Sequence, residues 1–159
     1  MMSAFISSPA PAVTAPGKML LCGPFWPDLD INHFRSSERI GASNIPDQRI
    51  ETALIEAVMI ADGDLAEWRD SQMAEGFAVL DDVPSRQIGG QHRLALLWRQ
   101  AVYGHATADL IETHRDITAT GTGQSRGDDM QSRADDHRRT AIHAIRAIKG
   151  KDRTTVELI

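Results

Sequence analysis

The glycine-rich stretch GTGQSRG is the first part of this chain whose residue types suggest chemistry. Its three glycines, Gly121, Gly123 and Gly127, would let backbone N–H groups approach the oxygens of a phosphate. The stretch lacks the G-x-G-x-x-G spacing, and it follows a predicted helix, whereas a nucleotide-binding loop follows a strand. It also lacks the lysine and the adjoining hydroxyl residue of a Walker motif. We therefore interpret it as a flexible connector.

Two histidines could begin a metal site, because His105 and His137 fall on the inner faces of consecutive predicted helices. Asp109, Glu112 and His114 lie near the first of them in sequence. There is, however, no H-E-x-x-H pattern and no cysteine pair. We favour hydrogen-bonded core histidines over ligands, and we expect neither a metal nor a cofactor.

Nucleophilic catalysis finds no support either. No serine or threonine lies in a G-x-S-x-G elbow, and Cys22 is the only cysteine. A single cysteine excludes an internal disulfide and fits synthesis in a reducing cytosol. The many carboxylates of the second predicted helix lie on its outer face, where ionised side chains are normally solvated. The sequence therefore predicts a protein that is not an enzyme.

The charge of the chain is unevenly distributed around a net value of −5. Residues 47–82 contain ten acidic residues against Arg49 and Arg69, a net charge of −8, whereas residues 133–153 contain seven basic and three acidic residues, a net charge of +4. An acidic balance argues against a dedicated binder of duplex DNA. Opposite charges at two ends suit contacts between copies, although the charges alone favour the alternative of solvated helix faces.

Arg139 and Arg146 are seven residues apart and share a face of the last predicted helix. They are the candidates for contact with DNA phosphates. Few aromatic residues accompany them, so stacking on bases is not implied, and salt bridges to an acidic neighbouring surface explain them equally well.

The 159 residues are predicted to form one soluble domain with two extensions. Residues 1–24 are rich in Ser, Ala and Pro and are expected to form a disordered arm. They lack the cationic start of a signal peptide, and no apolar run reaches membrane-spanning length. Residues 25–150 are the predicted helical domain, and residues 151–159 a short extended tail.

The apolar periodicity predicts an all-α bundle of about four helices. The first is short, capped by Asp28 or Asp30 and stopped at Gly41. The second follows a cap at Asn44 and ends at Gly76, the third spans about 91–115, and the fourth spans about 129–149 with Gly150 as its cap. The expected core residues are Leu54, Leu65, Trp68, Leu94, Trp98, Ile145 and Ile148.

Helix three carries a second apolar stripe, formed by Leu96, Tyr103 and Leu110 at a spacing of seven. Either the bundle itself or a neighbouring subunit would cover it, and we favour the bundle.

The C-terminal RTTVELI alternates apolar and polar residues and is typical of a strand that either pairs with another chain or packs on its own bundle. The candidate contacts with a partner subunit are Arg153, Val156, Leu158 and Ile159, together with the second stripe.

Five segments stand in a characteristic order along the chain. They are FWPDLDINHFR at 25–35, RIETALIEA at 49–57, GFAVLDDVP at 76–84, RQAVYGHATADLIE at 99–112 and the C-terminal RTTVELI. In their order and spacing they resemble the GPL head completion family of tailed phages. The loop at 76–84 and the C-terminal signature weigh most in this resemblance.

The resemblance implies a structural virion protein at the portal vertex or neck, made in the cytoplasm of the bacterial host. It implies binding to the portal protein after DNA packaging, a ring of copies, twelve-fold as portals are, and a surface for neck or tail completion proteins. Contact with packaged DNA would be non-specific at most, and no membrane is involved. The main alternative is a small helical nucleic-acid-binding protein involved in DNA packaging, supported by the arginines of the last helix.

Overall fold

A computed structural model describes residues 18–40, 45–118 and 124–151, of which 114–118 and 124–128 are described as backbone alone. Four α-helices lie within these residues and confirm the predicted class. They are α1 (Ile31–Ser37), α2 (Asp47–Ala74), α3 (Arg93–Thr118) and α4 (Gln124–Ile148).

Two short antiparallel strand pairs and one turn of 3₁₀ helix complete the described fold. The strand β1 (Met19–Leu20) pairs with β2 (Leu29–Asp30), and β3 (Gln87–Ile88) pairs with β4 (Gln91–His92). The 3₁₀ turn spans Leu80–Asp82. None of the described helices combines the length and the apolar content that crossing a bilayer requires.

Local capping explains where several helices begin and end. The Asp30 side chain accepts a hydrogen bond of 2.8 Å from the backbone N–H of Asn32, which confirms one of the two predicted caps. At the other ends, Gly76 follows α2 with φ of 102° and Gly150 follows α4 with φ of 70°. Both glycines adopt the left-handed conformation that closes a helix, as predicted. The predicted cap Asn44 lies outside the described residues, and Pro46 takes the N-cap position.

The connector before α4 is shorter than the sequence predicts. The polar loop was expected over 116–129, whereas α3 continues to Thr118 and α4 begins at Gln124. The prediction relied on apolar periodicity, which residues 116–118 and 124–128 do not show because nearly all of them are polar or glycine. Polar residues there still form backbone hydrogen bonds within the helix.

The core lies along α3, which packs against both α2 and α4. From α2 it receives Ile50, Leu54 and Leu65, each with no exposed surface. Six of the seven predicted core residues are buried, and Trp68 is partly buried against the same core. Leu80 is buried and Phe77 packs against the core from the loop after α2, as expected.

The N-terminal boundary at residue 24 lies too late in the sequence. Leu20 and Cys22 are buried, and the Trp26 ring stacks on Trp98 with ring centroids 4.2 Å apart and planes 5° apart. The strand pair β1–β2 holds this segment against the bundle. The Ser, Ala and Pro content on which the prediction relied belongs mainly to residues 1–17, which lie outside the described residues.

Candidate interaction surfaces

A groove runs between α1, α3 and α4. It consists of two adjoining cavities of about 390 and 490 Å³, which share Ser37, Glu38 and His137 in their walls. The larger cavity is the more apolar and is lined in part by Ile40, Ile45, Leu110, Ile111 and Met130.

The floor of the smaller cavity carries a buried tyrosine. The Tyr103 hydroxyl lies 3.0 Å from Nδ1 of His33, which is itself 3.3 Å from the Ser37 hydroxyl. Burial, with a smaller effect of nearby acidic groups, raises the pKa of Tyr103 to about 12. This tyrosine therefore stays protonated at neutral pH and links α3 to α1 as a structural group.

The second apolar stripe of α3 is covered by the chain itself. Tyr103 and Leu110 are 5% and 4% exposed, and Leu96 is half-buried in the wall of the smaller cavity. Two of these three contact candidates therefore expose almost no surface to a partner subunit. The preferred alternative, a stripe buried within the bundle, is confirmed.

The two histidines singled out by the sequence have different environments. Burial lowers the pKa of His105, and its Nε2 has no hydrogen-bond partner among the described residues. His137 is only half-buried, and its Nδ1 lies 3.9 Å from a carboxylate oxygen of Glu38. His105 is thus a neutral residue at the edge of the core without the full hydrogen bonding we expected. In the described parts of the chain, no three His, Cys, Asp or Glu residues are grouped as metal ligands.

Ion pairs fasten the long helices to one another. Nη1 and Nη2 of Arg138 each donate a hydrogen bond to the Glu112 carboxylate, which joins α4 to α3. Arg49 donates to Asp109 at 2.6 Å and to the Thr113 hydroxyl at 2.8 Å, which joins α2 to α3. These contacts consume several charges that the sequence left available for partners.

The outer face of α4 is basic. We define it by Arg139, Ile142 and Arg146, which recur at three and four residue steps. Ile142 is 50% exposed, and the Arg139 side chain, paired with Asp136 one turn earlier, is 66% exposed. From Arg138 to Lys149, just past the end of the helix, the chain contains four basic residues and no acidic one. The predicted pair Arg139 and Arg146 therefore does share one side of the helix, with Arg139 exposed and Arg146 half-buried.

The outer face of α2 has the opposite charge. We define it by Glu56, Met59, Ile60, Gly63 and Glu67, on the side of the helix turned away from the core. Met59 is 62% and Ile60 49% exposed. The whole helix contains seven acidic residues against two arginines, a net charge of −5. Acidic and apolar groups are thus interleaved on the exposed face of a single helix.

The tail candidates Arg153, Val156, Leu158 and Ile159 lie outside the described residues. Sequence reasoning also missed contacts that the described residues do show. The most consequential is at Gly104, where α3 lies so close to α4 that a Cβ atom would be 2.7 Å from the backbone oxygen of His137. A glycine within an otherwise apolar helical stripe was the only signal for it.

Comparison with known proteins gives one coherent result. A family described as phage head completion protein (GPL) matches residues 20–159. The head completion/stabilization protein of Escherichia phage P2 is 31% identical over 135 residues, which cover 85% of this chain and 79% of that protein. The probable head completion/stabilization protein of Haemophilus phage HP1 (strain HP1c1) is 27% identical over 135 residues, 85% of this chain and 88% of that protein. No solved structure matches the chain significantly. The family match includes all four helices.

Proposed function

We propose that this chain, which belongs to the phage head completion protein (GPL) family, binds the portal vertex of the DNA-filled head as an adaptor ring. Membership of that family makes it a structural protein of the virion. The ring would help retain the packaged genome and provide the site to which neck or tail proteins attach. The single observation that carries this proposal is the family match, which extends over the described fold from Leu20 to its end.

The surface of the molecule supports an assembly role. Leu21 is 78% exposed beside the N-terminal strand pair, and the outer faces of α2 and α4 expose Met59 and Ile142. Large apolar side chains surrounded by charged residues are common where protein surfaces meet. Ion pairs fasten both helices that carry these faces to α3, Arg49–Asp109 from α2 and Arg138–Glu112 from α4.

The decisive test is reconstitution with DNA-filled heads assembled without this chain. We expect the purified protein to bind these heads, to increase the fraction that retains DNA, and to make them competent to bind tails. Native mass spectrometry of the isolated portal mixed with the chain should show addition of a fixed number of copies. Heads that neither bind the protein nor change their DNA retention would contradict the proposal.

A nucleic-acid-binding role in packaging is the second candidate, and the basic outer face of α4 is the observation that favours it. If that role is correct, the chain should bind a duplex DNA fragment at physiological salt, with an affinity that falls steeply as salt rises. Replacing Arg139 and Arg146 with alanine should reduce that slope. Tight DNA binding without portal binding would favour this second role over the adaptor.

A further inference from the structure

We infer that neighbouring copies of this chain meet through two different faces, the outer face of α2 on one copy and the outer face of α4 on the next. The inference deepens the proposed function, on which it rests, because it names the surface that would connect copies around the vertex.

Charge complementarity is the first argument. The face on α2 presents Glu56 and Glu67, both exposed, on a helix with a net charge of −5. The face on α4 presents Arg139, which is paired with Asp136 one turn earlier and still largely exposed, and the half-buried Arg146, and residues 138–149 contain no acidic residue. Opposite potentials of this kind steer two surfaces together and fix their register. Two copies that met through the same face, α2 against α2 or α4 against α4, would repel each other.

The apolar groups are the second argument, because each face carries them between its charges. On α4, Ile142 lies between the two arginines, three residues from one and four from the other. On α2, Ile60 lies between the two glutamates and Met59 beside it. With a rise of 1.5 Å per residue, the arginines are about 10 Å and the glutamates about 16 Å apart along their helices. Two arginine side chains are long enough to make up the difference between these two spacings.

Gly63 supplies a third, independent argument. It lies within α2, where glycine destabilises a helix relative to alanine, and a Cβ atom at this position would meet nothing within 4 Å. The described residues therefore give no steric reason for a glycine here. A helix of another copy packed across this position would give one, since a missing side chain leaves a depression that the Ile142 side chain can fill.

The two faces lie on different helices, and α2 and α4 touch each other at only a few points because α3 lies between most of their lengths. A contact between two different faces is heterologous, so each copy uses one face for each neighbour. Such contacts produce a closed ring when the rotation between copies closes and a filament when it does not.

Charge reversal tests the contact on heads. Arg139→Glu/Arg146→Glu makes both faces of a copy acidic, and Glu56→Lys/Glu67→Lys makes both basic. Because like charges facing each other cost binding energy, each variant alone should join heads lacking the chain at least about tenfold less well than the unchanged protein. An equimolar mixture should recover assembly, since the two kinds of copy can alternate.

Several results would overturn the inference. It is wrong if both variants join heads normally, or if both fail and their mixture does not recover. It is also wrong if only Arg139→Glu/Arg146→Glu fails and that variant has lost binding to duplex DNA, since the basic face would then meet DNA. If the unchanged protein does not join heads, the proposed function fails instead.

Cysteine cross-linking decides the contact without relying on heads or on reversed charges. Cys22 is buried, so introduced cysteines dominate the reaction. Mixing Gly63→Cys with Ile142→Cys at high protein concentration under mild oxidation should give a disulfide-linked dimer that neither variant forms alone. The control is Ile88→Cys, exposed on the β3–β4 hairpin, which should give no dimer with Ile142→Cys. Equal cross-linking of the two pairs, or none, would overturn the inference.

Discussion

Gly104 of α3 lies so close to α4 that a Cβ atom in its place would be 2.9 Å from the Cβ of Ala141. The same Cβ atom would be 2.7 Å from the backbone oxygen of His137, a distance shorter than van der Waals contact. A side chain can relieve a clash by changing its rotamer, but backbone atoms cannot. Any larger residue at this position must therefore push the two helices apart. The close approach also shapes the smaller cavity, whose wall includes Gly104 and His137.

Gly104→Ala should therefore destabilise the protein, although alanine is the better helix former. Overpacking costs about 1 to 3 kcal/mol, and a gain of about 1 kcal/mol in helix propensity offsets part of this. Gly63→Ala is the matched control, since it gains the same propensity in open space and should stabilise by about 0.5 to 1 kcal/mol. Urea unfolding followed by circular dichroism measures both. Equal changes in the two variants would show that the helices are not in close contact at Gly104.

Leu54→Ala tests the inner face of α2. Leu54 has no exposed surface, and removing its side chain should lower the free energy of unfolding by roughly 2 to 5 kcal/mol, because the core cannot fully collapse around the cavity. The neighbouring Ile55→Ala is the control. Its side chain is 42% exposed, so the loss should stay within about 0.5 kcal/mol. A loss below about 1 kcal/mol for Leu54→Ala would show that the inner face of α2 is wrongly assigned.

The sequence predicted those parts of the fold that follow from the spacing of apolar residues or from the conformation of a single residue. Leu54 and Leu65 recur at helical spacing, and Gly76 and Gly150 end helices for a local steric reason. Neither prediction depends on which residues pack on the other side of the core. For the same reason the class of the fold and most of its core residues could be predicted before any contact was known.

Contacts between distant segments could not be predicted in this way. Composition made Leu20 and Cys22 resemble the arm that precedes them, because their burial depends on the pairing of β1 with β2. The sequence could not show which element covers Tyr103 and Leu110, because the position of α1 above them leaves no periodic signal. The pairing of Arg49 with Asp109 joins residues 60 positions apart, so single-sequence patterns contain no trace of it.

Cys22 offers a direct test of the packed N-terminal segment. Burial, with Asp28 nearby, raises the pKa of its thiol to about 11. Since the thiolate is the reactive form, alkylation at pH 8 should be at least about tenfold slower in the folded protein than in urea. The chain contains a single cysteine, so the rate reports on this site alone. A folded protein that reacts as fast as the unfolded one would show that residues 18–24 do not pack on the bundle.

Tyr103, the only tyrosine of the chain, should titrate abnormally. Its pKa is raised to about 12 in the folded state and is about 10 in an unfolded chain, so the folded state keeps its proton where the unfolded state has lost it. The stabilisation is fully present below about pH 10 and is lost as the pH rises through the folded pKa. Ultraviolet absorbance of tyrosinate, measured with and without urea, gives both midpoints. Tyr103→Phe should remove the absorbance change and weaken the loss of stability in this range, and a folded midpoint near 10 would contradict the burial of this hydroxyl.

Deleting residues 154–159 tests the proposal that the C-terminal segment is an assembly element. Because the helical core ends before Gly150, we expect helical content and thermal midpoint to remain nearly unchanged while incorporation into heads is lost. The alternation of the sequence supplies matched variants: Val156→Asp/Leu158→Asp should prevent incorporation, and Thr155→Ala/Glu157→Ala should not, since a paired strand buries one of its two faces.

If the truncated protein unfolds, the segment stabilises its own bundle, and the cavity of about 320 Å³ that reaches Lys151 just past the end of α4 would be its candidate binding site. If the truncated protein joins heads normally, the tail is dispensable. The burial of Tyr103 and Leu110 has removed the second stripe of α3 as a substitute, so the outer faces of α2 and α4 would then have to carry the assembly.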